Sequence, residues 1–167
     1  MGIKVSVGDV FLLPLDANKW TIGQLVSEWE SELYVCVFDK MVETNVIDVR
    51  ELDFLNLALL ALTLDAKIFH GSGPIIGNYT GNISAIPQPA FKVRQSGVIY
   101  IESRDRSLTR IATQTELEVL RNRTISSPAV VEKAAQSYFG FRDWSPSFDK
   151  FSSEYAYRTC NFLHTKH

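Results

Sequence analysis

The sequence predicts an α+β protein that is mostly antiparallel β, with a strongly curved sheet or small, partly open barrel and one or two helices in the C-terminal third. Three observations predict it. Short apolar runs divided by turn signals fill the first 112 residues. The earliest runs are apolar at successive positions, so each strand packs inward and is also covered outside. The helix start and stop signals come only from Thr113 onward.

The strands follow in order. Residues 10–15 form the first, starting from the Gly8–Asp9 turn signal and ended by Pro14, which cannot donate to a ladder. Asp16 to Lys19 is a polar turn. Residues 20–29 form the second strand, and Gly23 inside it predicts a bulge, or a tight bend where another backbone comes close. Residues 33–38 form the third. Residues 54–69 are ambiguous, because Leu and Ala favour helix while residues 62–64 and 68–69 look extended; a strand is expected over at least the second half. Residues 71–89 are rich in turns, and 98–102 form a further strand.

The last third changes character. Thr113 and Glu116 have the spacing of a capping box, in which hydroxyl and carboxylate satisfy reciprocal backbone donors. Ser127–Pro128 reads as an N-cap followed by proline at the first helical position, with the helix running to about Phe139 and stopping at Gly140. The aromatic tail is expected to pack back irregularly. At 167 residues and 46% hydrophobic content, the chain is expected to form a single domain over 1–167, β-rich over 1–112 and helical or irregular over 113–167.

Chemistry-bearing patterns are few. His70, His164 and His167 lack metal-ligand spacing, and His70 reads as a turn residue or a lone base. The glycines of residues 71–77 do not open a helix and bring no P-loop lysine, so no phosphate cradle is expected. The residues point to no catalytic group, metal or cofactor, and the protein is expected not to be an enzyme. Cys36 and Cys160 read as reduced thiols, and the N-terminus lacks an apolar stretch of signal length; together these predict a cytoplasmic protein. The longest apolar run, residues 57–64, is too short to span a bilayer. With a net charge of −2, general binding to nucleic acid is not expected.

The charge is unevenly placed. Glu28, Glu30, Glu32, Asp39, Glu43, Asp48, Glu51 and Asp53 are opposed only by Lys40 and Arg50, so residues 28–53 carry −6 and the rest +4. Such a segment either steers toward a basic partner or keeps an edge strand soluble.

Gly8-Asp9-Val10-Phe11, then Leu13-Pro14-Leu15, a polar turn, Trp20 and Gly23-Gln24-Leu25, resembles the opening of the immunity protein 26 family, bacterial proteins predicted to protect cells from polymorphic toxins. Residues 34–39 resemble that family's third strand. Gly73-Pro74-Ile75-Ile76-Gly77-Asn78 resembles its later turn, without the tryptophan that the family has before the proline. The resemblance covers roughly residues 4–102. It implies a protein that binds the C-terminal domain of a cognate toxin, a nuclease being one such toxin, and neutralises it by steric and electrostatic occlusion. It implies no cofactor, no direct contact with nucleic acid and no membrane association, and it leaves the oligomeric state open. Glu28, Glu30, Glu32, Asp39, Glu43, Asp48 and Asp53 are then the expected toxin contacts. Gly8, Asp9, Pro14, Gly23 and Gly77 are expected to shape the strands. The alternative is a small non-enzymatic β-barrel module that binds nucleic acid or peptide.

Overall fold

The structure, a computed structural model, describes residues 5–44, 46–64 and 74–164. The chain forms two compact units, one of Met1–Ile86 with Ile125–Ser152 and the other of Pro87–Thr124 with Ser153–His167. The composition change at residue 113 falls inside the second unit.

The first unit is built on a six-stranded sheet. Its strands are β1 (Asp9–Pro14), β2 (Trp20–Trp29), β3 (Glu32–Val42), β4 (Leu57–Thr63), β5 (Ile75–Asn78) and β9 (Ile125–Ser126), ordered β5-β1-β2-β3-β4-β9. All pairings are antiparallel except β4 with β9. The order leaves the sheet open, with β5 and β9 at its edges. The doubly apolar strands are buried on both faces, as their sequences predict. On one face Phe11, Leu13, Leu25, Val35, Val37, Leu59 and Ala61 pack with Val131, Ala134 and Ala135 of helix α2 (Pro128–Tyr138). On the other, Leu12, Ile22, Tyr34, Cys36, Phe38, Leu60 and Leu62 are all buried. Burial pushes the Cys36 thiol well above its ordinary pKa; both Cys36 and Cys160 are free.

The interior glycine of β2 sits where the β2–β3 register slips. There the Thr21 hydroxyl shares its one proton between the carbonyls of Phe38 (3.1 Å) and Lys40 (2.9 Å), bridging the irregularity. Gly23 is directly opposite Phe11 of β1, and a side chain on Gly23 would run into the Phe11 ring. The bulge reading of that glycine holds, and what comes close to it is the Phe11 side chain rather than another backbone.

Helix α2 has the boundaries that its signals set. The Ser127 hydroxyl accepts from the Val130 N–H (3.4 Å), Pro128 opens the helix, and Gly140 follows with φ +84°. One ambiguity is resolved and two other expectations are revised. The ambiguous segment places its strand early, at β4, because the Leu/Ala run is buried on both faces between β3 and β9 and tertiary packing overrides its helix propensity; residues 65–69 lie outside the described ones. The turn-rich segment contains β5, which pairs with β1. The aromatic tail is regular, with a 3-10 helix at Pro146–Phe151 and helix α3 at Ser153–Thr159.

The second unit holds a three-stranded antiparallel sheet of β6 (Phe91–Gln95), β7 (Val98–Glu102) and β8 (Thr109–Ile111), with the short helix α1 (Gln114–Leu117) and α3. Ala90, Ile101 and Leu120 form its small core. Polar contacts supplement it. The Tyr155 hydroxyl donates to the Ala90 carbonyl (2.7 Å) and accepts from the Arg121 N–H (3.0 Å). Arg123 lies over the Phe91 ring while donating to Glu102 (2.5 Å) and the Ser103 carbonyl (2.7 Å).

The capping box at Thr113 and Glu116 forms as predicted, and Glu116 also takes a bidentate bond from Arg110 (2.7 and 2.6 Å). Arg110 first, with the Thr113 donors, holds the Glu116 carboxyl down to about 2. The Ser107 hydroxyl and backbone hold Asp105 down to about 2 as well. A carboxylate whose pKa is lowered by folding stabilises the fold fully above its unfolded pKa and loses that contribution as pH falls toward the folded value. Stability carried by Glu116 is thus complete above about pH 4.5 and lost between there and about pH 2. Glu116→Gln is expected to cost about 1–2 kcal/mol at neutral pH, since the pair is buried on one side and partly exposed on the other. In urea unfolding at pH 7 and pH 3, the variant should lose less stability between the two than the wild type. Equal losses would mean that this pair does not set the acid limb.

Candidate functional site

Gly8, Asp9, Gln24, Gly77 and Asn78, five of the residues that carry the family resemblance, meet at one corner of the first unit. Gly8 adopts φ +95°, and a Cβ there would lie 2.8 Å from the Tyr79 carbonyl oxygen. The Gly8 carbonyl accepts from the Tyr79 N–H (3.0 Å), and its own N–H donates to the Leu25 carbonyl (2.8 Å). One Asp9 oxygen caps the Ser6 N–H (2.8 Å) and the other accepts from the Asn78 amide (3.0 Å). Fully buried Gln24 donates to the Tyr79 carbonyl (2.6 Å) and exchanges amide bonds with Asn82 (3.1 and 2.6 Å). Pro14 is the last residue of β1, paired with Trp20. Gly77 lies in β5 opposite Val10.

This corner positions an acidic turn. A 3-10 helix at Val49–Phe54 is capped by Asp48, whose carboxylate accepts from the Arg50 N–H (3.0 Å). Leu52 anchors it in the core. A Cβ on Gly77 would lie 2.8 Å from Val49 Cγ1, so the glycine makes room for the helix. The Tyr79 hydroxyl donates to Asp53 (2.7 Å), and Lys40 of β3 pairs with Glu51 (2.8 Å). The Asp39 N–H donates to the Asn56 carbonyl (2.8 Å), holding the chain beyond the helix to β3.

The expected contact acids fall into two groups. Glu28 and Glu30 are exposed at the β2–β3 hairpin, where Glu30 takes φ +54°; Glu32, the partner of Trp29, is buried. Asp39 and Glu43 are exposed at the far end of β3, with Asp48 and Asp53 on the 3-10 helix. Seven residues of strand, about 23 Å at the usual rise, separate Glu32 from Asp39. Each group carries −3: three acids alone over residues 28–32, and five acids against Lys40 and Arg50 over 39–53. The structure thus places Asp39, Glu43, Asp48 and Asp53 at one end of the sheet and the hairpin glutamates at the other.

Both cations of the second group are engaged. Arg50 donates two bonds to Asp48 (3.1 and 3.0 Å), which lowers the Asp48 pKa. The hydrogen bond to Asp53 raises the pKa of Tyr79. Burial first, then the nearby Asp39 carboxylate, raises that of Tyr138 at the end of α2. All of these shifts favour a surface that stays negative at neutral pH with its phenols protonated.

Among the described residues no three His, Cys, Asp or Glu side chains gather in metal-binding fashion. His164 is exposed; His70, Gly73 and His167 lie outside the described residues. No described helix is long and apolar enough to cross a membrane. No protein family, curated protein or solved structure matches the chain.

Sequence reasoning missed Tyr79 and Phe54. Tyr79 follows Asn78 directly, and its role depends on a contact across 26 positions. Phe54 opens the ambiguous segment 54–69 in the sequence, whereas in the structure it closes the 3-10 helix that precedes β4.

Proposed function

We propose that this protein is an immunity protein that binds the C-terminal domain of a cognate bacterial polymorphic toxin and neutralises it by occluding a basic surface. The observation that carries this reading is the acidic turn of residues 39–53, negative by three charges and fixed to the sheet through Lys40, Leu52 and Tyr79. Gly8, Gln24 and Gly77, among the residues resembling the immunity family, lie in the corner beside it. A preset field of this kind speeds encounter with a cationic partner and disfavours other surfaces. If the toxin is a nuclease, the carboxylates occupy phosphate positions and exclude its substrate. Inhibition then needs a standard interface of about 1,600 Å² and no chemistry. A cytoplasmic location is part of the same proposal, since the toxin acts there on a cell's nucleic acid.

One observation favours the alternative, a module that binds nucleic acid. The second unit has nine Lys and Arg against five Asp and Glu, net +4, with Arg94, Arg106 and Arg158 exposed. Arg106 and Arg110 are partly matched by Glu102 and Glu116.

The test is calorimetric titration with the C-terminal domain encoded by the adjacent upstream gene, at two salt concentrations. Tight one-to-one binding that weakens with salt is expected. Tight binding indifferent to salt would keep the immunity role and remove the acids from its mechanism. Failure to bind a folded neighbour, with salt-dependent binding of a single-stranded oligonucleotide instead, would favour the alternative.

A further inference from the structure

The 3-10 helix Val49–Phe54 presents an aromatic ring that folding leaves in water. Phe54 is 87% exposed, more than any other large hydrophobic side chain among the described residues. Side chains three apart eclipse in a 3-10 helix, so Val49 and Leu52 share the inner face, and Asp48, Glu51 and Phe54 share the outer one. Single exposed apolar residues are ordinary on protein surfaces. Phe54 differs in how it is mounted: the Asp48 cap, the Lys40–Glu51 pair, the Tyr79–Asp53 bond and buried Leu52 fix its backbone from both ends. A ring with two torsions on a fixed turn loses little freedom on binding.

The surrounding charge selects the occupant. Five carboxylates against two cations over residues 39–53 repel a nucleic acid backbone and an anionic lipid surface alike. They suit a protein face that is cationic around an apolar hollow. Interfaces of that design place an aromatic anchor at the centre and charges at the rim, where they act on encounter rather than on residence time.

We infer that Phe54 is the anchor of the toxin-binding surface, its ring entering an apolar hollow in a cationic face of the partner. The inference rests on the immunity reading and adds to it the residue that holds the complex together. The acids of the 39–53 stretch steer the approach, and Phe54 sets the dissociation rate.

The experiment compares full-length wild type, Phe54→Ala, Phe54→Leu and Ile111→Ala by surface-immobilised kinetics against the domain encoded by the adjacent upstream gene. Ile111 is a 63%-exposed residue of the second unit and serves as the control. Thermal melting establishes that each variant is folded, as expected for changes at exposed side chains. Phe54→Ala should weaken binding by about 30-fold or more, chiefly in the dissociation rate, with Phe54→Leu intermediate and Ile111→Ala unchanged. Wild-type binding that Phe54→Ala leaves intact, or that Ile111→Ala weakens equally, would overturn the anchor while the immunity reading stands. Absence of wild-type binding would overturn both.

Discussion

Replacing Gly23 with alanine is expected to destabilise the first unit by about 3 kcal/mol, at the upper end of what overpacking a core costs. The position lies in the middle of the sheet, between Phe11 of β1 and Val37 of β3. A methyl group there would overlap the Phe11 ring, and Phe11 is itself completely buried, so the ring has no solvent to turn into. The strain must pass into the β1–β2 pairing or into α2, which packs on the same face. Urea unfolding would show the loss as a lower midpoint with an unchanged slope. Phe11→Leu in the Gly23→Ala background should recover part of it, because the smaller side chain clears the methyl. If the double variant is no more stable than the sum of the two single changes predicts, the clash is not the cause.

Gln24→Leu is the second large effect. Leucine matches the volume of glutamine but leaves both the Asn82 side chain and the Tyr79 carbonyl without the Gln24 amide. Asn82 is 6% exposed, so water cannot take over. Stranding these groups should cost about 3 kcal/mol, the sum of two unmet buried polar groups at ordinary values. Adding Asn82→Leu should cost much less than the first change did, since the second amide has already lost its partner. A double-mutant cycle reads this directly, and strictly additive losses would argue against a coupled amide pair.

These two positions show how far the sequence was legible. Gly23 announced a bulge or a close approach, because a glycine inside an apolar run has few other uses. The strands β1 to β3, the capping box and the limits of α2 were likewise readable, since each depends on signals within a few residues. Elements that depend on distant partners were not. β4 is a strand because it is buried between β3 and β9, although its Leu-Ala composition favours helix. β5 looks like a string of turns and becomes a strand only against β1. The acids were legible as a charged segment, but their division needed the geometry of β3, which carries the hairpin glutamates and Asp39 to opposite ends. Phe54 stood in plain view, and only the structure shows that the ring is left outside.

The division of the chain bears on how the protein is made. The first unit takes five of its six strands from the early part of the chain, but β9 and Val131, Ala134, Ala135 and Phe151 of its core arrive only after the whole Pro87–Thr124 segment has been synthesised. While that segment leaves the ribosome, the sheet face formed by Phe11, Leu13, Leu25, Val35 and Val37 lacks its helical cover. A nascent chain in this condition exposes apolar surface and must close a long loop before α2 can dock, the conditions under which folding slows and aggregation competes with it. The helical cover of this face is therefore the last part of the first unit to become available during synthesis.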